Sequence, residues 1–339
     1  MIGGHDPMAM PAPPEIMLFL LGLTFVLHVS LLGLLFSSLW ARAGAEWGMG
    51  GVYDALRVHR AGVVGFSMTI TLGVPPLLFV QILYGKYFYS SSISIGFPWL
   101  AVVGYLLVGF YALYWAQWSW TRYNGPSWSG KLFWLICVLC IVAIGFTYSW
   151  NHLKSMSETP WSHNISHLSA LHRLLGYFGG ALVASGAWGA WFGSHWRTDK
   201  RVPRGAAWAA LAGGSGLLAW SLTSDFAIGG EFNLDRPLLY AGAGAAMIAG
   251  ILGTATNMTS ISRWLTTAAA LLGILGLFLQ REAYRLETMR SYFDPFAEAT
   301  RTQWAPIAMF AVALLTGVAV LIWLLMLVRR VPKSSHSGS

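Results

Sequence analysis

The stretch LTFVLHVSLLGLLF, residues Leu23–Phe36, contains no charged residue, and His28 is its one imidazole side chain. It belongs to an apolar run that covers residues 17–40. About 20 apolar residues in an α-helix are enough to cross the roughly 30 Å hydrocarbon core of a bilayer. The stretch therefore predicts a transmembrane helix with a histidine near its middle.

Similar runs recur along the whole chain. Of its 339 residues, 56% are hydrophobic and 10% are charged, whereas a soluble domain carries about 25% charged residues. The apolar runs predict about nine transmembrane helices, near residues 17–40, 61–83, 98–118, 131–150, 168–194, 206–224, 238–256, 264–280 and 304–328. We expect an all-α fold, a polytopic transmembrane helix bundle, with residues 1–330 as one membrane-embedded domain and residues 331–339 as a disordered polar tail.

The Lys and Arg residues lie mainly in alternate loops. Arg42, Arg57 and Arg60 precede the second span, Arg197–Arg204 follows the fifth, and Arg329–Lys333 follows the last. Cytoplasmic loops carry the excess of Lys and Arg, so the N-terminus is expected outside and the C-terminus in the cytoplasm. We expect a multi-pass protein of the bacterial cytoplasmic (inner) membrane. These loops and the tail account for most of the net charge of +8, so no nucleic-acid partner is expected.

Three local features carry further expectations. Pro75 and Pro76 lie inside the second span and predict a kink or an unwound turn there. Gly242–Ala255 places small residues four apart, which is typical of closely packed membrane helices. The segments 151–167 and 281–303 are predicted to be the longest extramembrane pieces.

The fifth span begins with LSALHRLLGYFGG, residues Leu168–Gly180. On a helix, His172, Gly176 and Gly179 share one face. A histidine above a strip without side chains leaves room for a planar macrocycle, with imidazole as an iron ligand and a thioether from another helix as the second ligand. Arg173, at the wet end, is placed to pair with haem propionates. The alternative is an interfacial histidine at a close helix crossing.

His28 is a second candidate because ionisable groups at membrane depth are rare and are often functional. It could ligate a haem, or it could be a neutral histidine that is hydrogen-bonded to a backbone carbonyl. None of the nine predicted spans contains Asp or Glu. A chain of carboxylates that carries protons across the bilayer is therefore not expected.

Four segments resemble subunit I of the cytochrome bd quinol oxidases: LTFVLHVSLLGL, GVPPLLFVQILYGKYFYSSSISIGFPWLAVVGYLL, LHRLLGYFGGALVASGAW and QWAPIAM. The resemblance extends over residues 17–195 and returns at the last segment. It implies that His28 binds a high-spin haem and that His172 ligates a low-spin haem b with Met309 as its partner. It also implies nine spans with the N-terminus outside.

The chain departs from that family at several functional positions. The second span has Pro75, Pro76 and Gln81 where the family carries a glutamate haem ligand, and Ile307 replaces an arginine before the methionine. The outer quinol-binding loop is shortened to the residues around Asp225–Arg236. The late Gly-Arg-Gln-Pro-Trp motif is absent. These departures affect oxygen reduction, proton delivery and the known quinol loop.

We therefore expect a membrane subunit with one or two haems b that takes electrons from quinol near the outer face. A c-type cytochrome or an iron–sulfur partner outside would receive them. Outer-loop residues that could form the quinol or partner surface are His163, His167, Arg285 and Arg301. Two alternatives stay open: a shortened bd-type quinol oxidase that reduces oxygen, and a haem-free transporter or assembly factor.

Overall fold

The computed structural model describes residues 9–48, 55–161, 165–196, 203–227, 237–255 and 260–330. Within this part the chain forms nine α-helices and no β-strand. The α-helices are α1 Pro14–Glu46, α2 Ala55–Ile95, α3 Phe97–Tyr123, α4 Trp128–Lys154, α5 His167–Trp196, α6 Pro203–Ala227, α7 Pro237–Ala255, α8 Ser260–Met289 and α9 Trp304–Arg330. A short 3-10 helix, Pro295–Ala297, lies between α8 and α9.

Six of these helices, α1 to α4, α8 and α9, are long and apolar enough to cross a membrane. The nine helices of the described residues follow one another in the order of the nine predicted spans. The prediction of an all-α, multi-pass membrane protein is confirmed.

Helix α1 lies at the centre and contacts α2, α4, α5 and α8, whereas α9 packs mainly on α2. At one end of the bundle, the segment before α1 pairs with the segment before α9. The N–H of Met10 donates to the carbonyl of Ala299 at 2.9 Å, and the N–H of Arg301 donates to the carbonyl of Met10 at 2.8 Å. We call this the N-terminal end. At the opposite end, Arg42 pairs with Glu46 at 2.8 Å.

The break in α2 does not lie at the prolines. The helix continues through Pro75 and Pro76, and its non-helical residue is Tyr84, with φ −130° and ψ 28°. The Tyr84 side chain is buried and its hydroxyl donates to Glu282 at 3.2 Å. Contacts with α8 therefore stabilise the break, and the predicted position of the kink is corrected to Tyr84.

Helix α8 continues nine residues beyond the predicted end of its span, to Met289. Arg281, Glu282 and Arg285, which were expected in an extramembrane segment, are 1%, 5% and 1% exposed. Glu282 therefore lies in the same continuous helix as the apolar run of residues 264–280, two residues beyond its predicted end. Pairing among these three side chains makes their burial possible.

The small residues of α7 bring it close to α8, as predicted. A Cβ atom on Gly242 would lie 2.3 Å from the backbone nitrogen of Gly273 and 2.5 Å from its Cα. Gly244, two residues further along α7, has no neighbour within 4 Å of such a Cβ. The two helix backbones therefore touch only along the face that contains Gly242.

Replacement of Gly242 by Ala is expected to lower the apparent melting temperature of the detergent-solubilised protein. Backbone atoms cannot yield as side chains do, so α7 and α8 must separate, at a cost of about 1–3 kcal/mol. Gly244→Ala is the matched control and should leave the melting temperature unchanged or raise it, because Ala is about 0.5–1 kcal/mol better than Gly within a helix. Equal destabilisation by both substitutions would contradict the close α7–α8 contact.

Candidate functional site

Three charged residues of α8 form a buried network near the N-terminal end. The Nε of Arg281 donates to Oε1 of Glu282 at 2.8 Å, and Nη1 of Arg285 donates to Oε2 at 3.2 Å. The hydroxyl of Tyr84 in α2 donates to the same Oε2. The Glu282 carboxylate thus accepts three hydrogen bonds, which offsets much of the free energy needed to bury it.

Aromatic rings cover the two arginines. The guanidinium carbon of Arg281 lies 4.4 Å from the ring centroid of Phe25 in α1, and that of Arg285 lies 4.4 Å from the ring centroid of Tyr84. A cation over a ring face is stabilised by the ring quadrupole, more strongly where water is excluded. The rings therefore hold both guanidinium groups in place within an apolar interior.

Helix α5 adds a third arginine to this region. The guanidinium carbon of Arg173 lies 5.1 Å from the ring centroid of Tyr284 in α8, and its charge acts on Arg285. We call Arg173, Arg281, Glu282 and Arg285 the arginine cluster. Three positive charges and one negative charge give the cluster a net charge of +2.

Several buried polar atoms at the cluster have no hydrogen-bond partner among the described residues. They are Nη1 of Arg281, Nε of Arg285 and both ring nitrogens of His152. His152 lies in the last turn of α4, is 3% exposed, and is within electrostatic reach of all three arginines. Because buried polar groups are nearly always paired, unpaired ones call for a ligand, an ion or water.

Three residues on the neighbouring helices α1, α4 and α5, His28, Tyr148 and Arg173, are partly exposed.

The segment after α8 closes the N-terminal end over the cluster. The ring centroids of Phe293 and Tyr87 are 5.2 Å apart, and the hydroxyl of Tyr292 donates to the carbonyl of Met156 at the end of α4. Burial, together with the neighbouring Tyr87 and Glu158, raises the pKa of Tyr292 to about 12. Tyr292 therefore stays protonated, and its hydroxyl remains a donor, at any physiological pH.

His28 is held in one orientation by α2. Its Nδ1 lies 2.9 Å from the carbonyl oxygen of Thr69, and a carbonyl can only accept, so Nδ1 carries the proton and Nε2 keeps its lone pair. A Cβ atom on Gly73 would lie 2.8 Å from Cε1 of the ring, so only glycine lets the ring lie against α2. A fixed tautomer with a free Nε2 is the usual form of a metal-ligating histidine.

His172 has different surroundings from those expected. Its Nε2 lies 2.7 Å from the hydroxyl of Thr223 in α6. Side chains of α6 cover the face of α5 that contains Gly176 and Gly179. A Cβ atom on Gly176 would lie 2.5 Å from the Trp220 ring, and one on Gly179 would lie 3.1 Å from Leu217. Helix α6 therefore occupies the face on which a macrocycle was expected.

Met309 and His172 are not brought together. Met309 lies in the second turn of α9 with 73% of its surface exposed, and α9 packs mainly on α2. The thioether faces away from the bundle. In this arrangement, the two side chains do not form a ligand pair.

The residues expected at an outer surface fall into three groups. His167 and Arg301 are exposed, and the ring centroid of His167 lies 4.9 Å from that of Trp150. Arg285 belongs instead to the buried cluster, because Glu282 pairs with it inside the bundle. His163 lies outside the described residues.

Comparison of the chain with models of protein families, with curated proteins and with solved structures found no match. In the described part of the chain, no group of three or more His, Cys, Asp or Glu side chains is placed to hold a metal ion. A function for this protein is therefore argued from single residues and their surroundings.

Replacement of Glu282 by Gln is expected to destabilise the protein by about 3–5 kcal/mol, because it leaves two buried arginines without their anion. Thermal unfolding in detergent measures the effect. Glu287→Gln is the matched control on the same helix: Glu287 and its partner Arg290 are 78% and 79% exposed, so its loss should change stability by less than about 1 kcal/mol. Similar melting temperatures for the two variants would exclude a stabilising role for the buried pairs.

Proposed function

We propose that this protein is a membrane haem b electron-transfer subunit, related to subunit I of the cytochrome bd quinol oxidases. The observation that supports it best is the geometry of His28: a histidine deep in the bundle, with Nδ1 bound to the Thr69 carbonyl at 2.9 Å and Nε2 free. A haem bound there would supply one-electron oxidation and reduction.

In this proposal, His28 holds the iron and α2 fixes its ring. Gly73 lets α2 approach the ring, and the Thr69 carbonyl keeps the tautomer in which Nε2 can bind metal. Burial excludes water from the redox group. The residues near His28 therefore suit a cofactor that carries electrons within the membrane.

The substrate we propose is a quinol, oxidised near the N-terminal end. Its oxidation releases two electrons and two protons. The distribution of Lys and Arg residues supports an outer N-terminus and a cytoplasmic C-terminus in a bacterial inner membrane, so the protons would leave directly to the outside. The electrons would pass one at a time to a c-type cytochrome or an iron–sulfur protein on the outer side. The exposed His167 and Arg301 are candidates for the surface that meets the quinol or this partner.

A second haem at His172 requires rearrangement. Thr223 must give up its hydrogen bond to Nε2, and the Trp220 side chain must leave Gly176. Met309 must turn from its exposed position on α9. We therefore assign the first haem to His28 and keep His172 and Met309 as ligands of a second haem only if two are found.

Two alternatives each have one supporting observation. Glu282, bonded to Tyr84 inside the bundle, supplies a buried acid of the kind that a shortened bd-type oxidase needs for proton delivery. The α6 side chains that fill the glycine strip support a haem-free transporter or assembly factor. Carbon monoxide binding to the reduced protein, together with quinol-dependent oxygen uptake, would establish the oxidase.

The purified protein is expected to show a Soret band and one or two haems b per chain in a pyridine haemochrome assay. His28→Ala should remove one haem, because it deletes the iron ligand. His172→Ala should remove another only where two are present. His59→Ala is the control, since His59 lies in the first turns of α2 against Tyr114. A haem-free wild-type protein, or a full haem content in His28→Ala, would contradict the assignment.

A further inference from the structure

The arginine cluster has more positive charge than its own carboxylate can balance. Glu282 pairs with Arg281 and Arg285, and Arg173 adds a third guanidinium group, so the net charge is +2. Isolated charges in a low-dielectric interior are strongly disfavoured. Two further negative charges would make the cluster neutral.

The geometry of the unpaired donors indicates what those charges are. Nη1 of Arg281, Nε of Arg285 and the ring nitrogens of His152 are all buried and unpaired among the described residues. These atoms come from two helices, α4 and α8. Guanidinium groups bind carboxylates through paired, charge-assisted hydrogen bonds.

The cluster also lies next to the proposed iron ligand. Arg281 covers the ring of Phe25, which lies three residues, or about one helical turn, before His28 in α1. The charge of Arg281 acts on His28. A ligand that contacted both His28 and the arginine cluster would carry a metal for His28 and carboxylates at its edge for the arginines.

We infer that the arginine cluster, with His152, binds the two carboxylates of the iron porphyrin whose metal His28 holds. Two carboxylates balance the net charge of +2. They also give the unpaired donors of Arg281, Arg285 and His152 their acceptors. The inference rests on the proposed function, and it extends to Arg281 and Arg285 the pairing with haem propionates that was expected for Arg173.

Glu282 has a positioning role in this site. By accepting from Nε of Arg281 and Nη1 of Arg285, it orients both guanidinium groups before a ligand binds. Nη1 of Arg281 and Nε of Arg285 stay unpaired. A preorganised pair of donors loses less conformational entropy on binding than flexible side chains do.

The test compares haemin with haemin dimethyl ester, in which both carboxylates are neutral. The full-length protein is purified in detergent, depleted of haem and titrated with each compound, and the Soret band is followed. Arg281→Gln and Arg285→Gln are compared with Arg290→Gln, whose side chain is 79% exposed just after α8. Isothermal titration of the haem-free wild type with succinate tests a small dicarboxylate as the alternative source of the two charges.

We expect the wild type to bind haemin at least about tenfold more tightly than the ester, since each lost charge-assisted hydrogen bond contributes on that order. Arg281→Gln and Arg285→Gln should weaken haemin binding by a similar factor and leave ester binding unchanged. Arg290→Gln should behave as the wild type. The wild-type comparison needs no substitution, so it remains decisive if a variant fails to fold.

Equal affinity of the wild type for haemin and its ester would overturn the inference and leave the proposed function intact. If succinate bound as well in that case, the cluster would be assigned to a small dicarboxylate instead. If neither haemin nor the ester gave a Soret shift with the wild type, the proposed function itself would fail.

Discussion

Two guanidinium groups buried in an apolar helix bundle, with a third beside them, impose the constraint on which the rest of this structure depends. Arg281 and Arg285 can be buried only with hydrogen-bond acceptors, counter-charges and rings around them. Much of the architecture supplies these. Helix α8 extends to Met289 so that Glu282 can pair with its neighbours. Helix α2 breaks at Tyr84, whose hydroxyl reaches the same carboxylate, and the segment with Tyr292 and Phe293 closes the end.

Hydropathy was enough to predict the fold class, because each span must satisfy its backbone hydrogen bonds within a helix and present apolar side chains to lipid. It did not predict the length of α8, because Arg281 directly follows the apolar run of residues 264–280 and the helix continues to Met289. A hydropathy value treats each residue alone and cannot include the pairing of Arg281 with Glu282. For the same reason the kink in α2 was predicted at the wrong position. Pro75 and Pro76 are visible in the sequence, whereas the contact of Tyr84 with Glu282, 198 residues away, is not.

The candidate site was predictable only in part. Helical periodicity correctly placed Gly176 and Gly179 on one face of α5, but it could not show that Trp220 and Leu217 of α6 fill that face. His28 could be singled out from the sequence as a candidate ligand. Its hydrogen bond to Thr69 could not, because it depends on how α1 packs on α2. The arginine cluster as a whole was missed. Its signal was two arginines and a glutamate within five residues, directly after a long apolar run, together with a histidine at the end of α4.

The sign of the buried charge bears on the direction of electron flow. A net charge of +2 near a redox group stabilises its reduced form, because adding an electron lowers the positive charge nearby, and the effect is large where the dielectric constant is low. Carboxylates bound at the cluster would remove much of this stabilisation, and Glu282 already removes part. The reduction potential of a haem held by His28 would therefore depend on how completely its carboxylates balance Arg173, Arg281 and Arg285. In the proposed function, the same contacts that bind the cofactor would set whether it can accept electrons from a quinol.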